Sequence, residues 1–551
     1  MTLRRITVFN NIRCKICDSP QTPFVQKPEK PTFIFSCYFL NYMSMADKAN
    51  SSSLHGDQLQ TDYFSTAYRA AKKWASALVF FIVLVVGAFI FRIDPYFNIL
   101  TTKSLKHSTG FPLTCTNESL TKTCNVNYPM TFEAHESSNS TCPDYFQWIH
   151  EDLQPWRSAG ISRDMIERAK DMANFRLVIV KGKAYVETYF KSFQTRDMFT
   201  LWGFLQLLRL YPGRIPDLEL MFGCGDMPRV VKNDYQGPNA TSPPPLFQYC
   251  GHADHLSIIF PDWSFWGWAE LSIKPWEDML KLLVEGTKKK KWKDRVPYAY
   301  WKGNPDVSPN REDLMTCNVS DKHDWNARIY AQNWDKEIEQ GFKHSRLEDQ
   351  CIHRYKIYVE GRAWSVSGKY ILSCDSMTLL IKPDYYDFFM RSLVPMQHYW
   401  PISQENKCRD IKFAVEWGNS HPHKAQAIGK AGSRFIEKNL KVEYVYAYMF
   451  HLLREYAKLL KFKPEIPAGG VEICSESMAC PEEGLRRKFM VDSMVNFPSD
   501  TLPCNMPPPL EPAAIEALFE RNENITRQVV RWQNEYWESS NKTESSGSRN
   551  H

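Results

Sequence analysis

The chain has 551 residues, and its 68 basic and 62 acidic side chains leave a formal charge of only +6. For this length that gives no case for nucleic acid as a partner. Aromatic residues reach 14% with 17 tryptophans, enough to fill a large core and still leave rings for stacking on sugars.

In chain order, residues 1–73 read as a polar tail. The first forty or so are irregular and lack periodicity, and Met43 or Met45 stands where a more ordinary start would lie. Cys14 and Cys17 have no second pair and no nearby histidine, which argues against zinc. Trp74 to Phe91 (WASALVFFIVLVVGAFIF) is a run of uncharged residues just long enough to cross a bilayer as a helix, apolar on every face. Arg69, Lys72 and Lys73 precede it, and the balanced pair Arg92 and Asp94 follows. The positive-inside bias keeps the tail cytoplasmic and makes the run a single-span, type II signal-anchor. Its distance from the start and the absence of a small-residue cleavage site argue against a cleaved signal peptide.

Cysteines and sequons follow the same division. Cys14, Cys17 and Cys37 precede the run and twelve cysteines follow it, so several disulfides are expected in an oxidising lumen, with pairing open. Asn117, Asn139, Asn239, Asn318, Asn524 and Asn541 are lumenal glycosylation sequons, whereas Asn50 lies on the other side.

Residues 92–143 read as a stem. From Asp144 a folded region begins, with helical spacing over Tyr145–Ala169 and strands near Leu177–Lys181 and Ala184–Tyr189. An amphipathic helix follows at Asp197–Tyr211, then strands at Leu218–Phe222 and Leu256–Phe260, and a helix at Pro275–Thr287 that ends in the lysine cluster of 288–293. The second half opens on the strand Tyr298–Lys302, with further strands at Tyr355–Glu360 and Thr378–Ile381. Helices are expected at Arg409–Trp417, His421–Asn439 and Val442–Leu460. Alternation of this type predicts layered α/β domains, divided as 144–290 and 291–463. Residues 464–551 read as a cysteine-containing extension, peripheral after 505 and disordered over the last dozen residues. There are no internal repeats.

No Asp-X-Asp occurs, which argues against a site that holds a nucleotide-sugar through a divalent cation, and G-X-S-X-G, HEXXH and P-loop patterns are also absent. Three constellations remain. Asp226 lies in a glycine-rich turn past the end of a predicted strand, where open α/β sheets place ligands. A carboxylate there can take a proton from a hydroxyl, although on these residues alone an Asp that stabilises its own turn is the favoured reading. Lys302, Gly303 and Asn304 end a strand that leads through Ser308 and Pro309 to Arg311. Cations beside a helix start suit a diphosphate, although strand–turn–helix junctions with basic residues are common. In Glu360–Tyr370, Ser365 and Lys369 fall on one side of a short helix, and ordinary capping explains Ser365 almost as well.

Taken in order, PDLELMF with Cys224, Asp226 and Pro228, then FPDWSFWGW, PYAYWKGNP with Arg311, YKIYVEG with AWS, and the late AGSRFI resemble one family. It is that of the Rumi-like protein O-glucosyltransferases and capsule-associated xylosyltransferases, plant members in particular, and the resemblance covers roughly residues 140–500. It implies a GT-B type α/β fold, two Rossmann-like domains facing across a cleft. It also implies inverting, metal-independent transfer of glucose or xylose from a UDP-sugar co-substrate, with no cofactor, to a hydroxyl of a glycoprotein or glycan. By position Asp226 is the general base, and Lys302, Gly303, Asn304 and Arg311 contact the donor. Arg362, Ala363, Trp364, Ser365, Val366 and Ser367 form the segment that wraps the nucleotide. Trp263, Phe265, Trp266 and Trp268 lie on the acceptor side.

The sequence departs from the family pattern at Gly223, where relatives usually carry Asp, at Gly267–Trp276, and at Arg362 and Trp364. These departures keep a second reading open, a membrane-tethered, catalytically inactive carbohydrate-binding relative. The absence of a KDEL-type ending, with an anchor and stem, fits the Golgi membrane better than the endoplasmic reticulum.

Overall fold

The computed structural model describes residues 110–115, 124, 140–238 and 240–547, with side chains to residue 540. The apolar run Trp74–Phe91, the tail before it, most of the stem, Asn50, Asn117, Asn139, Asn239 and the side chain of Asn541 lie outside the described residues. Among those described, no helix is long and apolar enough to cross a membrane.

The single helical stretch expected at 145–169 is broken into short turns, Trp148–Asp152, Gln154–Arg157 and Arg163–Arg168. Pro155 and Gly160, with its φ of 74°, interrupt the ladder. Strands β1 (Phe175–Val180) and β2 (Lys183–Thr188) form an antiparallel hairpin. Helix α1 (Arg196–Leu210) follows, and it is buried on nearly every side rather than amphipathic: Thr200, Gln206 and Arg209 are buried with its leucines. Strand β3 (Leu218–Phe222) lies where expected and pairs antiparallel with β1. Beyond it come β4 (Phe247–Gln248), β5 (Gly251–His252) and β6 (Ile258–Ile259), with β3, β4 and β6 parallel. The first sheet is therefore mixed, with a parallel side that leads toward Asp226.

After α2 (Trp276–Lys288) the second half is a parallel sheet of β7 (Val296–Gly303), β8 (Ala327–Ala331), β9 (His353–Tyr358), β10 (Met377–Ile381) and β12 (Trp400–Ile402). Its spatial order is β12-β10-β9-β7-β8, so the winding reverses between β7 and β9. A ligand crevice is expected outside the carboxyl ends of those two strands. Two short helices leave them, α3 (Pro309–Met315) after β7 and α4 (Ser367–Leu372) after β9. The short strand β11 (Tyr385–Tyr386) pairs with β5 and so ties the second half to the first.

Helices α5 (Lys407–Ser420), α6 (Pro422–Asn439) and α7 (Val442–Leu459) follow the expected spans closely. One hydrophobic core lies under the second sheet and takes in Ile411, Ala414 and Val415 of α5. The other fills the first half and takes in Tyr446, Tyr448 and Tyr456 of α7, so the chain returns to the first half before its extension begins. The extension up to Cys504 is built into the first half. Strand β13 (Val471–Ile473) adds to the edge of β2, and disulfides join Cys115–Cys480, Cys124–Cys474 and Cys142–Cys504. Helix α8 (Pro512–Gly547) runs to the last described residue and lays Tyr536 5.3 Å from the Phe413 ring of α5, and residues 548–551 lie outside the described residues. Two further disulfides, Cys317–Cys408 and Cys351–Cys374, lie in the second half, and Cys224 and Cys250 are free and buried.

Candidate active site

The crevice between β7 and β9 collects one part of the expected site. Arg311, on the first turn of α3, donates from Nε to the Glu360 carbonyl at 2.8 Å, from Nη2 to Ser365 Oγ at 3.2 Å and from Nη1 to the Asn304 carbonyl at 3.3 Å. The Trp301 ring lies 5.7 Å from its guanidinium carbon. All three acceptors are neutral, and burial holds the guanidinium pKa below its ordinary value. A partly buried cation whose hydrogen-bond acceptors among the described residues are all neutral is a place for an anion.

The surroundings keep that cation in place. Ser365 Oγ also pairs with Ser367 Oγ at 2.8 Å, and the Ser365 amide donates to Tyr358 Oη at 3.1 Å. Asn304 Oδ1 accepts from the Asp306 amide at 3.0 Å and caps the turn between β7 and α3. Glu360 was not foreseen as part of this crevice. Its carboxylate accepts from the Tyr385 and Asp384 amides at 2.7 and 3.2 Å, and burial still pushes its pKa up to about 7.

Lys302 is not brought to this cluster. Alternation along β7 turns it away from Trp301, and its ammonium meets Glu337 at 3.3 Å and the His344 carbonyl at 2.6 Å. Lys369 is likewise committed elsewhere, to Asp262 at 2.8 Å in an ion pair with both side chains buried. Ala363 and Trp364 are buried, Val366 and Ser367 half-buried at the start of α4, and Arg362 exposed.

The second part lies past β3. Asp226 is half-buried, and its Oδ1 accepts from Arg196 Nη1 at 2.9 Å. The loop that carries it is fixed from three sides. Asn174 Oδ1 receives the Cys224 amide at 2.7 Å, while buried Gln248 donates to the Met227 carbonyl at 2.9 Å and accepts the Arg229 amide at 3.1 Å. Cys250 Sγ donates to the Asp226 carbonyl at 3.2 Å. Gly223 meets its backbone requirement without a side chain, donating to the Phe247 carbonyl at 2.9 Å. Of these partners, Gln248 carries no sequence signal, since it lies in the two-residue strand β4, where the sequence predicts no strand. Arg196 and Asn174 are distant in sequence and give none.

A cavity of about 410 Å³ borders Asp226, and Arg311, Asn304 and Ser365 are not among its lining residues. Gly225, Asp226, Arg229, Val231 and His255 line it from the first half and Arg362 from the second. A second cavity of about 400 Å³, lined by Leu271, Met279, Phe342 and their neighbours, contains none of the expected site residues.

The aromatic block divides. Phe265 and Trp266 are core: Trp266 donates to Tyr446 Oη at 3.0 Å and lies where a side chain at Gly203 would clash, and Phe265 packs on Trp276 and Phe388. Neither presents a ring to a sugar. Trp263 is buried too, but its ring backs Arg196 at 4.5 Å and lies 5.1 Å from Tyr249. Trp364, 5.8 Å from the same tyrosine, connects this layer to the donor segment, and its indole N–H has no partner among the described residues. Trp268 is half-buried and donates to Gln194 Oε1 at 2.8 Å. Among the described residues, the one group with metal-ligand spacing is Cys142, His451 and Cys504, in which the two sulfurs are already joined as a disulfide. Of the described sequons, Asn524 is exposed, and Asn318 is half-buried and accepts the Ile329 amide at 3.0 Å.

Comparison with known proteins bears on this geometry. Residues 137–533 match glycosyl transferase family 90. The chain is 28% identical over 345 residues to protein O-glucosyltransferase 1 of Bos taurus, covering 60% of this chain and 83% of the bovine protein. The human protein of the same name matches to the same extent. An O-glucosyltransferase rumi homolog of Aedes aegypti is 24% identical over 361 residues, covering 62% of this chain and 84% of its own.

Proposed function

The chain belongs to glycosyl transferase family 90 and is a glycosyltransferase, and from that premise we propose that it moves glucose or xylose from a UDP-sugar to a hydroxyl of a glycoprotein or glycan. In this reading the two sheets are the halves of a GT-B fold. The donor diphosphate occupies the crevice beside Arg311 and Ser365, with Asn304 and Arg362 at its edge. The observation that carries the reading is that Asp226 and Arg362, from different halves, line one cavity, while Arg311 holds a positive charge with no carboxylate among its hydrogen-bond partners in the described residues. A base and an anion site are then near the same bound sugar.

The reaction is a single displacement. Asp226 takes the proton of the acceptor hydroxyl, the freed oxygen bonds to the anomeric carbon, and the bond from that carbon to the UDP oxygen breaks, its electrons leaving with UDP. Arg311 steadies the charge that develops on the departing diphosphate. Inversion follows from attack on the face opposite the leaving group. Cations in place of paired carboxylates at the diphosphate support transfer without a metal. Five disulfides support an oxidising, lumenal site of action, and residues 74–91 remain our candidate for a Golgi anchor.

UDP release is measured over a panel of UDP-sugars, with Asp226→Asn beside the native chain and with EDTA present. We expect release from one donor, unchanged by EDTA and lowered about 100-fold or more by the substitution, with UDP affinity retained. Lost UDP affinity in Asp226→Asn removes that residue from the acceptor side. A strict metal requirement counts against the mechanism. Binding of UDP without release from any donor and with acceptors supplied favours the inactive carbohydrate-binding relative.

A further inference from the structure

We infer that Arg196 is a positioning residue for the reaction: it fixes one oxygen of the Asp226 carboxylate so that the other faces the incoming hydroxyl. The inference rests on the proposed role of Asp226 as base. Arg196 is the first residue of α1, so a cation lies at the positive end of a 15-residue helix, where the macrodipole disfavours it. It is also only 6% exposed. Packing alone would place an apolar side chain there, since a buried ion pair seldom adds more stability than a well-fitted hydrophobic residue.

What surrounds Arg196 is a mount. Nη1 donates to Asp226 Oδ1 at 2.9 Å and to the Cys224 carbonyl at 3.3 Å, so the same nitrogen grips the carboxylate and the loop that carries it. The guanidinium carbon lies 4.5 Å from the centre of the Trp263 ring and 5.2 Å from that of Phe193. Cation–π contact on two rings restricts the plane of the fork without using its hydrogen bonds. Nε has no hydrogen-bond partner among the described residues, and the side-chain hydrogen bonds that Arg196 makes there go to Asp226 and its loop. Arg229, His255 and Arg362 share the cavity with Asp226, but among the described residues none of them is hydrogen-bonded to its carboxylate. Among the described residues, Arg196 is the hydrogen-bond donor that sets which carboxylate oxygen is free.

The test uses the full chain with Arg196→Gln and Arg196→Lys, reading UDP release and, by calorimetry, the affinity and stoichiometry for UDP. Arg196→Gln is expected to lower kcat roughly 10- to 100-fold, the scale of a misplaced catalytic group, with UDP affinity and stoichiometry within about twofold. Arg196→Lys, which restores the charge but not the fork, is expected to recover part of that loss. The inference is overturned if Arg196→Gln turns over like the native chain, if UDP stoichiometry falls in step with activity, or if Lys is no better than Gln. Asp226→Asn is run in parallel. Activity that survives it removes the base itself, whereas its loss together with a native-like Arg196→Gln removes only the role given to Arg196.

Discussion

Glu360 shows how a single buried group ties site and stability together. Its main-chain carbonyl holds Arg311, while its carboxylate, 5% exposed, is displaced upward to about 7 from a starting value of 4.5, mainly by burial. Between about pH 4.5 and 7 the folded chain therefore keeps a proton that the unfolded chain has released, and this residue makes stability fall as pH rises through that window. Burial gives Asp387 the same sign, with a pKa of about 7. Glu360→Gln is expected to flatten the loss between pH 5 and 7.5, by an amount on the order of 1–3 kcal/mol. Urea midpoints of variant and native chain at the two pH values check it, and equal slopes would show that Glu360 carries no part of the dependence. None of this was legible in the sequence, where Glu360 is one more acid after a strand. Its environment is made by residues 384 and 385.

At the scale of elements, long apolar patterns were readable and short or polar pairings were not. Strand β3 and helices α2, α6 and α7 lie within a residue or so of the expected spans because each buries a continuous apolar face. The two-residue strand β4 owes its pairing to neighbours rather than to a pattern of its own, whereas β6 lies inside the expected strand Leu256–Phe260. Strand β13 could not be assigned to the edge of β2 without knowing that three disulfides carry the extension back to the first half. The fate of Lys302 was hidden for a similar reason, since Glu337 approaches it from the short helix Trp334–Glu339 and His344 from the segment after it. Asp226, Arg311 and Ser365 lie past the carboxyl ends of β3, β7 and β9, where topology leaves side chains free for ligands, but the family resemblance rather than that position singled them out. One close approach gives a prediction. A Cβ at Gly286 of α2 would sit 2.2 Å from the Glu348 carbonyl oxygen. In an open helix Gly→Ala stabilises by about 1 kcal/mol. Here Gly286→Ala is expected to destabilise by about 1–3 kcal/mol through the forced backbone shift. A lower urea midpoint with unchanged m-value would confirm the sign, and a raised midpoint would refute it.

For the molecule as a whole, two buried ion pairs join the halves that flank the cavity. Asp262 to Lys369 and Asp152 to Arg391 each span 2.8 Å, with side chains 2–9% exposed. Such pairs add little over apolar packing, but breaking one strands a charge. Lys369→Met is expected to lose about 3–5 kcal/mol, and adding Asp262→Leu should return much of it. A double variant no more stable than the single one would show that the pair is not the source of the loss. The disulfide pattern acts on the same scale but at an earlier time. Cys115, Cys124 and Cys142 wait for partners 350 to 365 residues downstream. At ~5–20 residues per second a ribosome needs about 20–70 s to supply them. During translation those three thiols must be kept from one another, and a chain cut short before Cys474 would display all three to the retention machinery of its compartment.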